Sequence, residues 1–375
     1  MVVYLERIWP ETQKSYRCFC PPPLHQQPLA EQRTLSWPHG RSSPLPIPFD
    51  YSHFLSRYLA GGVSLKEGRQ ISRQRLELVE AGLKTEDPLA AAVVDRARRY
   101  RQGMALLSTQ PITKASLCQA HQLVAFDVEC SGQVRKIQNW VGGHSPVDAR
   151  MVPVPPDQLP AHLEEFIDYI CSRSSWSLEQ VVAVVTQFIV LHPFHDGNGR
   201  VDRLLLEVLL QSWGQFAHGV VNPILYRLSH RHQGFFDQTM ALAQGHWQSL
   251  FSFWQSAFDW SAAVSSQFDA SMGQAHQKLQ RKLALRSISP GANALLKTLY
   301  QRPLVTIESA SKALGLNPMA AHGTIQELVN LDVLVGYPLR VPKGAFVFEC
   351  REVLEAWQQM DAAVFQTEVA TPQPN

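Results

Sequence analysis

The chain has 375 residues, 45% of them hydrophobic, a composition that fits two or three ordinary globular domains at about 150 residues each. Lys and Arg number 34 against 32 Asp and Glu, a formal charge of +2, so no large field draws in nucleic acid and any anion site must be local. The six cysteines (Cys18, Cys20, Cys118, Cys130, Cys171, Cys350) are scattered, and the opening "MVVYLERIWP" carries Glu6 and Arg7 where a secretory signal needs an apolar core, which together predict a cytoplasmic protein.

In chain order, residues 1–48 read as a proline-rich N-terminal arm, because "PPPLHQQPLAEQRTLSWPHGRSSPLPIP" lacks helical periodicity. Cys18 and Cys20 beside His25 suggest metal ligands at first sight, but C-x-C is too tight for the usual zinc spacing, which favours free thiols. Residues 49–120 form an N-terminal helical region, with apolar residues three and four apart in "ISRQRLELVEAGL" and "DPLAAAVVDRARRYRQGMALL". In "VECSGQVRKIQNWVGG", Ser131 and Gly132 mark a tight turn between two short, partly alternating runs, a small hairpin.

Residues 121–263 are read as the central unit. "PPDQLPAHLEEFIDYICSRS" and "WSLEQVVAVVTQFIVL" are two helices opened by turn or cap residues. The second is apolar nearly all round, hence a core helix, and falls short of the roughly 20 residues that span a bilayer, so no membrane partner is expected. After it, "VDRLLLEVLLQSW" and "HQGFFDQTMALAQGHWQSLFSFWQSAFDWSAAV" continue as helix. Residues 264–288 are an amphipathic connecting helix, and "ISP" marks the boundary before a unit at 289–357 and a tail at 358–375.

The chemistry concentrates in "HPFHDGNGR", residues 192–200. His192 ends the buried helix, Pro193 helps stop it, and "DGNG" is a turn that launches the next helix at about Gly199 or Arg200. Glycines let a ligand approach the backbone, and the new helix start offers unpaired N–H groups at a positive dipole end, an anion nest. Arg200 and Arg203, three apart, share one face and can grip a polyanion. Asp196 would repel a bare phosphate unless a hard cation such as Mg²⁺ sits between them. A nucleoside polyphosphate with Mg²⁺ meets all these demands, and His192 at the rim could accept a proton from an incoming hydroxyl. Phe194 is expected to plug the core. A transition-metal site at His192, His195 and Asp196 lacks the helical i, i+4 spacing of H-E-x-x-H and is disfavoured, leaving His195 at the surface.

From His192 to Arg203 the stretch resembles, without a gap, the signature of the Fic family, H-x-F-x-[DE]-G-N-G-R-x-x-R. The resemblance implies a mostly α fold, a Fic-type helical bundle with a small β-hairpin flap, and transfer of AMP from ATP to a protein hydroxyl with release of pyrophosphate. It implies that His192 is the general base, Asp196 the Mg²⁺ ligand and Asn198 an α-phosphate contact. Gly197 and Gly199 would give backbone donors, and Arg200 and Arg203 would hold the β- and γ-phosphates. Gly199 stands where the related Doc kinases have lysine, which favours nucleotidyl transfer. Val201 and Asp202 depart from the small pair usual there. "GQVRKIQNWVGG" resembles the family flap, implying that Arg135, Gln138, Asn139 and Trp140 bind the target by β-augmentation. "VSLKEG" resembles a family inhibitory helix, with Val63 where Ser or Thr is usual; Glu67 would pair with Arg203 and brake ATP binding, or be merely a solvated helix-end glutamate. Phe235 and Phe236 replace a Tyr-Tyr pair common in relatives, removing an acceptor for self-modification.

Residues 289–350 read as three helices and a hairpin, similar to the winged helix that several Fic proteins carry. Its third helix offers Asn317, His322, Thr324 and Gln326 with no Lys or Arg, so a protein contact or homodimer is preferred to DNA. The leading function is an ATP-dependent protein adenylyltransferase acting on a Ser, Thr or Tyr hydroxyl. The alternative is a nucleotide-sensing transcriptional regulator that binds DNA through the winged helix.

Overall fold

The computed structural model describes residues 3–27, 35–38, 51–66, 71–83, 87–213, 222–226, 247–283, 286–339 and 345–365. Within them the chain is mostly helical, with two small antiparallel sheets. Glu67, Phe235 and Phe236 lie outside the described residues.

The first element corrects the expectation of a featureless arm. Strands β1 (Val3–Ile8) and β2 (Ser15–Cys20) form an antiparallel hairpin, Val3 opposite Cys20 and Ile8 opposite Ser15. Its turn is closed by Trp9 N donating to Lys14 O at 2.8 Å, with Gln13 at φ 57°. Cys18, Phe19 and Cys20 are buried, which is why a strand pattern so exposed at its other end still holds.

Helices α1 (Tyr51–Lys66), α2 (Arg73–Glu80), α3 (Pro88–Thr109) and α4 (Lys114–Val124) follow. Asp87 caps α3 by accepting from Ala90 N, with Pro88 opening the first turn, and Thr113 and Ser116 close a reciprocal capping box on α4. Helix α5 (Leu159–Cys171) buries one stripe, Leu159, Leu163 and Phe166. Helix α6 (Leu178–Leu191) starts at a Ser177–Gln180 capping box and is buried on nearly every side. It packs against α7 (Asn198–Trp213), which also meets α3 and α4. The central bundle is thus built around the α6–α7 pair, and the loop joining them is the site.

Helix α8 runs unbroken from Trp247 to Leu283. Beyond it lie α9 (Pro290–Leu299), β3 (Leu304–Val305), α10 (Ile307–Leu314), α11 (Pro318–Asn330), β4 (Val335–Pro338), β5 (Phe346–Glu349) and α12 (Arg351–Phe365). The three strands make one sheet in the order β3-β5-β4. The expected divisions at 120/121, 263/264 and 357/358 fall inside α4, α8 and α12; no proline or glycine interrupts the helical pattern at any of the three.

Helix α12 folds back on the N-terminal helices. Asp361 accepts from Tyr58 Oη at 2.8 Å and from Arg73 Nε at 2.8 Å, and the Arg73 guanidinium lies 4.5 Å from the centre of the Trp357 ring. Beside it, Arg57 pairs with Glu77 and Glu80. Arg57, Arg73 and Glu77 are almost fully buried, so each of these charges depends on its partner.

Candidate functional site

The α6–α7 loop and the flap enclose a cleft of about 520 Å³ lined by Trp140, Val141, Gly142, His192, His195 and residues 196–200 together with Arg203. Every motif residue expected at the site lines it.

His192 terminates α6 in the left-handed conformation, φ 49° and ψ 58°, unusual for a residue with a side chain. Its ring Nδ1 meets Ile189 O at 3.1 Å. A carbonyl can only accept, so Nδ1 carries the proton, and whenever the ring is neutral its lone pair lies on Nε2, the arrangement a base requires. Phe194 is buried, as expected, and stacks on His121 with centroids 3.9 Å apart.

Asn198 opens α7. Its Oδ1 accepts from Phe194 N at 2.9 Å and its Nδ2 donates to Phe194 O at 2.8 Å, so the side chain staples the loop. Gly197 sits at φ 80°, and a Cβ there would come within 2.6 Å of Ala125 Cβ; conformation and packing both demand glycine. Gly199 differs: a Cβ would meet nothing within 4 Å. Among the described residues nothing requires glycine at 199, which lines the cleft. Of the first-turn N–H groups of α7, those of Arg200 and Val201 donate to Gly197 O at 2.9 and 3.3 Å, and those of Asn198 and Gly199 have no helical carbonyl to bond.

Arg203 is buried; its Nη1 donates to Tyr100 Oη at 3.2 Å, and among the described residues its Nε has no hydrogen-bond partner. Arg200 pairs with Asp127, which also meets Arg96 at 3.3 Å. Burial pushes the Asp127 carboxyl upward, but the Arg200 guanidinium outweighs it and holds the group below the usual carboxylate range. Asp196 is exposed at the cleft, with Oδ1 accepting from Gly197 N at 2.6 Å. One exposed carboxylate facing a phosphate nest fits Mg²⁺, which keeps waters and substrate oxygens as its other ligands. No group of three or more His, Cys, Asp or Glu suited to a metal occurs among the described residues.

The flap departs from expectation in pairing and in side-chain direction. A turn does lie at Ser131–Gly132, with Gln133 N bonded to Cys130 O at 3.0 Å, but the hairpin pairing is Val141 with Met151, around Gly142 and Gly143. The earlier run pairs instead with the α6–α7 loop, Val134 opposite Phe194. Of the four residues assigned to target binding, Trp140 alone lines the cleft. Gln138 turns to Pro153 O and Cys18, Asn139 donates to Phe194 O at 3.0 Å, and Arg135 is buried behind His192. Arg135 faces inward because the end of α6 presents carbonyls that need donors. The N-terminal hairpin flanks the flap, with Phe19 N bonded to Val152 O at 2.8 Å and Trp9 edge-on to Trp140 at 5.6 Å.

His121 on α4 went unnoticed in the sequence. Its Nε2 donates to Asp196 O and its Nδ1 accepts from Gly132 N, both at 2.8 Å, tying loop to flap. Burial lowers its pKa, against the Asp196 carbonyl bond. Behind Arg203, the buried Glu207 accepts from Asn222 Nδ2 at 3.1 Å and Gln211 Nε2 at 3.0 Å, and burial raises its carboxyl to about 7.

With this geometry in hand, residues 111–210 match the Fic/DOC family. The chain carries a Fic/DOC domain. It is 26% identical to the protein adenylyltransferase Fic of Aedes aegypti over 188 residues, 49% of this chain and 34% of that one. With the protein adenylyltransferase Fic of Drosophila grimshawi it shares 32% over 126 residues, 32% of this chain and 24% of that one. The chain thus spans about a third or less of the length of these curated relatives. A crystal structure of a Fic family protein from Desulfovibrio desulfuricans superposes at TM-score 0.47 and 15% identity, covering 80% of this chain and 87% of that one. The Fic/DOC match contains α4 through nearly all of α7, and so every residue that lines the cleft. No helix among the described residues is long and apolar enough to cross a membrane.

Proposed function

We propose that this chain is a protein adenylyltransferase, moving AMP from ATP to a Ser, Thr or Tyr hydroxyl of a target protein. The observation that carries the reading is Gly199: a glycine with open space at its Cβ, on the first turn of α7, in a cleft shared by His192 and Arg203. Closely approaching phosphates account for that glycine, and the protein's own packing does not. The kinship of the Fic/DOC domain with curated adenylyltransferases supports the same chemistry.

In this reading the backbone at the start of α7 cradles the phosphates while Arg203 and Arg200 hold the β- and γ-phosphates. Bound Mg²⁺, with Asp196 as its protein ligand, would offset phosphate charge. His192 Nε2 takes the hydroxyl proton as the acceptor oxygen bonds to the α-phosphorus, the bond to the β-phosphate oxygen breaks, and pyrophosphate leaves. Trp140 and the flap backbone hold the target segment. Glu67 acts as a brake through Arg203, so that Glu67→Gly raises AMP labelling.

The six cysteines, all unpaired, suit a reducing cytoplasm. The order of helix, strand, two helices and two-strand ladder from α9 to β5 supports a winged helix. Pro318, Met319, Ala320, His322 and Gly323 are exposed on α11; an uncharged, partly apolar surface favours a protein contact, such as a second copy, over DNA.

The test is incubation with Mg²⁺ and ATP labelled separately at the α- and γ-phosphates, with His192→Ala as control. Transfer of α-label that the control abolishes is the expected result. Transfer of γ-label alone would make the chain a kinase, and a DNA gel shift without any labelling would favour a nucleotide-sensing regulator.

A further inference from the structure

Arg135 holds the strongest unexplained position in the cleft's surroundings. Its side chain is 5% exposed and no carboxylate pairs with it among the contacts described; the guanidinium is met by main-chain oxygens. Nε donates to His192 O at 2.8 Å, Nη2 to Val154 O and, at 3.4 Å, to Leu191 O, and Nη1 to Ile137 O at 3.3 Å. Its own N–H donates to Pro193 O at 3.0 Å. Burial without a counter-charge pulls its pKa down to about 10.

Two of those oxygens, of Leu191 and His192, belong to the end of α6, where carbonyls lack helical donors and the helix dipole is negative. A buried cation there is stabilised by the dipole and saturates the carbonyls with a planar fork that lysine cannot imitate. The consequence lies at the next atoms along the chain. His192 is in a left-handed conformation that a residue with a Cβ adopts at a cost, and the bond from Arg135 Nε fixes the orientation of its carbonyl plane. That backbone setting aims the ring so that Nδ1 reaches Ile189 O, leaving Nε2 as the basic nitrogen.

We propose that Arg135 is the positioning residue of the base: it locks the backbone of His192, and with it the ring's tautomer and direction, to the flap. Arg135 sits in the flap run whose neighbour Val134 pairs with Phe194. The segment that receives the acceptor and the nitrogen that receives its proton are therefore parts of one rigid piece, and register is set before the target arrives. The inference rests on the adenylyltransferase reading, and assigns to Arg135 a task other than touching the target.

The experiment compares wild type, Arg135→Gln and Arg135→Lys in three measurements on the full chain: MgATP binding by calorimetry, kcat and KM for AMP transfer, and long-range ¹H–¹⁵N spectra of the histidine rings, with His192 assigned by its loss in His192→Ala. The expected result is MgATP affinity and stoichiometry within about twofold of wild type, kcat lower by about 100-fold in Arg135→Gln, and a His192 signal that leaves the Nδ1–H tautomer for a mixture. Arg135→Lys, with charge but no fork, falls between, and it carries the comparison should Arg135→Gln not fold. Loss of MgATP binding sites in proportion to kcat would reduce Arg135 to a structural residue and overturn the proposal, as would an unchanged His192 tautomer. If wild type transfers no AMP while the tautomer still changes in the variants, the enzymatic reading fails and the positioning of His192 by Arg135 stands.

Discussion

His121 Nε2 donates to the carbonyl oxygen of Asp196 while its Nδ1 accepts from Gly132, so one ring bridges the α6–α7 loop and the flap. Both bonds require the neutral ring. The folded pKa is depressed below the unfolded value of about 6.5. The stabilisation is therefore complete above that pH and declines as pH falls through it toward the lower folded value. His121→Ala is expected to lose about 2 kcal/mol at pH 8, and the gap in Tm between it and wild type narrows in melts toward pH 5.

Glu207 has the opposite sign. Its carboxyl rises from 4.5 to about 7 on folding, so the neutral form's stabilisation is fully present below the unfolded value and is lost as pH rises through about 7. Wild type is expected to become less stable from about pH 4.5 to about pH 7 and to level off above that. Glu207→Gln, neutral throughout, removes that part of the slope and is the more stable protein at pH 9 by up to about 3 kcal/mol, measured by urea denaturation.

Tyr100 fixes Arg203 from the neighbouring helix. Tyr100→Phe deletes only the hydroxyl, so the fold is retained while the guanidinium loses an anchor. MgATP binding is expected to weaken about fivefold, from a hydrogen bond of about 1 kcal/mol. Calorimetry reads the loss, and an unchanged Kd would show that Tyr100 does not set the arginine's position.

Gly197 and Gly199 separate folding from ligand approach. Gly197→Ala forces a side chain into φ 80° and against Ala125, and is expected to destabilise the protein by about 2 kcal/mol. Gly199→Ala meets no protein atom within 4 Å; Tm holds, and MgATP binding falls by about tenfold or more. Normal nucleotide affinity in Gly199→Ala would remove the main support for a phosphate at that turn.

Asp361 answers a buried arginine. Asp361→Ala strands the Arg73 guanidinium, which is 4% exposed, and is expected to destabilise by about 3 kcal/mol in denaturant unfolding. The double variant Asp361→Ala, Arg73→Met is expected to recover part of that loss.

What could be read from the sequence is the local order: His192, Asp196, the glycines and the two arginines follow one another closely in the chain and line one cleft. The helices α3, α5, α6 and α7 were legible from apolar spacing and caps. His121 was not, since its partner Asp196 is 75 residues away and nothing in "SLCQAHQLV" marks it. Arg135 and Asn139 misled because alternation in a short run says which residues share a face and not which face meets the loop. The N-terminal hairpin escaped notice because its buried half, Cys18 to Cys20, depends on Val152 far along the chain for a partner. Turn signals at both Ser131–Gly132 and Gly142–Gly143 competed, and only the tertiary bond from Val141 to Met151 settles which one closes the flap.

The meeting of α12 with Tyr58 and Arg73 has a practical corollary. A truncation after Arg286, attractive as a way to isolate the domain, would strip Asp361 and Trp357 from their places and bare an arginine and a tyrosine made for the interior. Excising the tail end of the polypeptide thus injures its front, and the minimal working fragment has to be sought by trimming loops rather than by amputating either extremity.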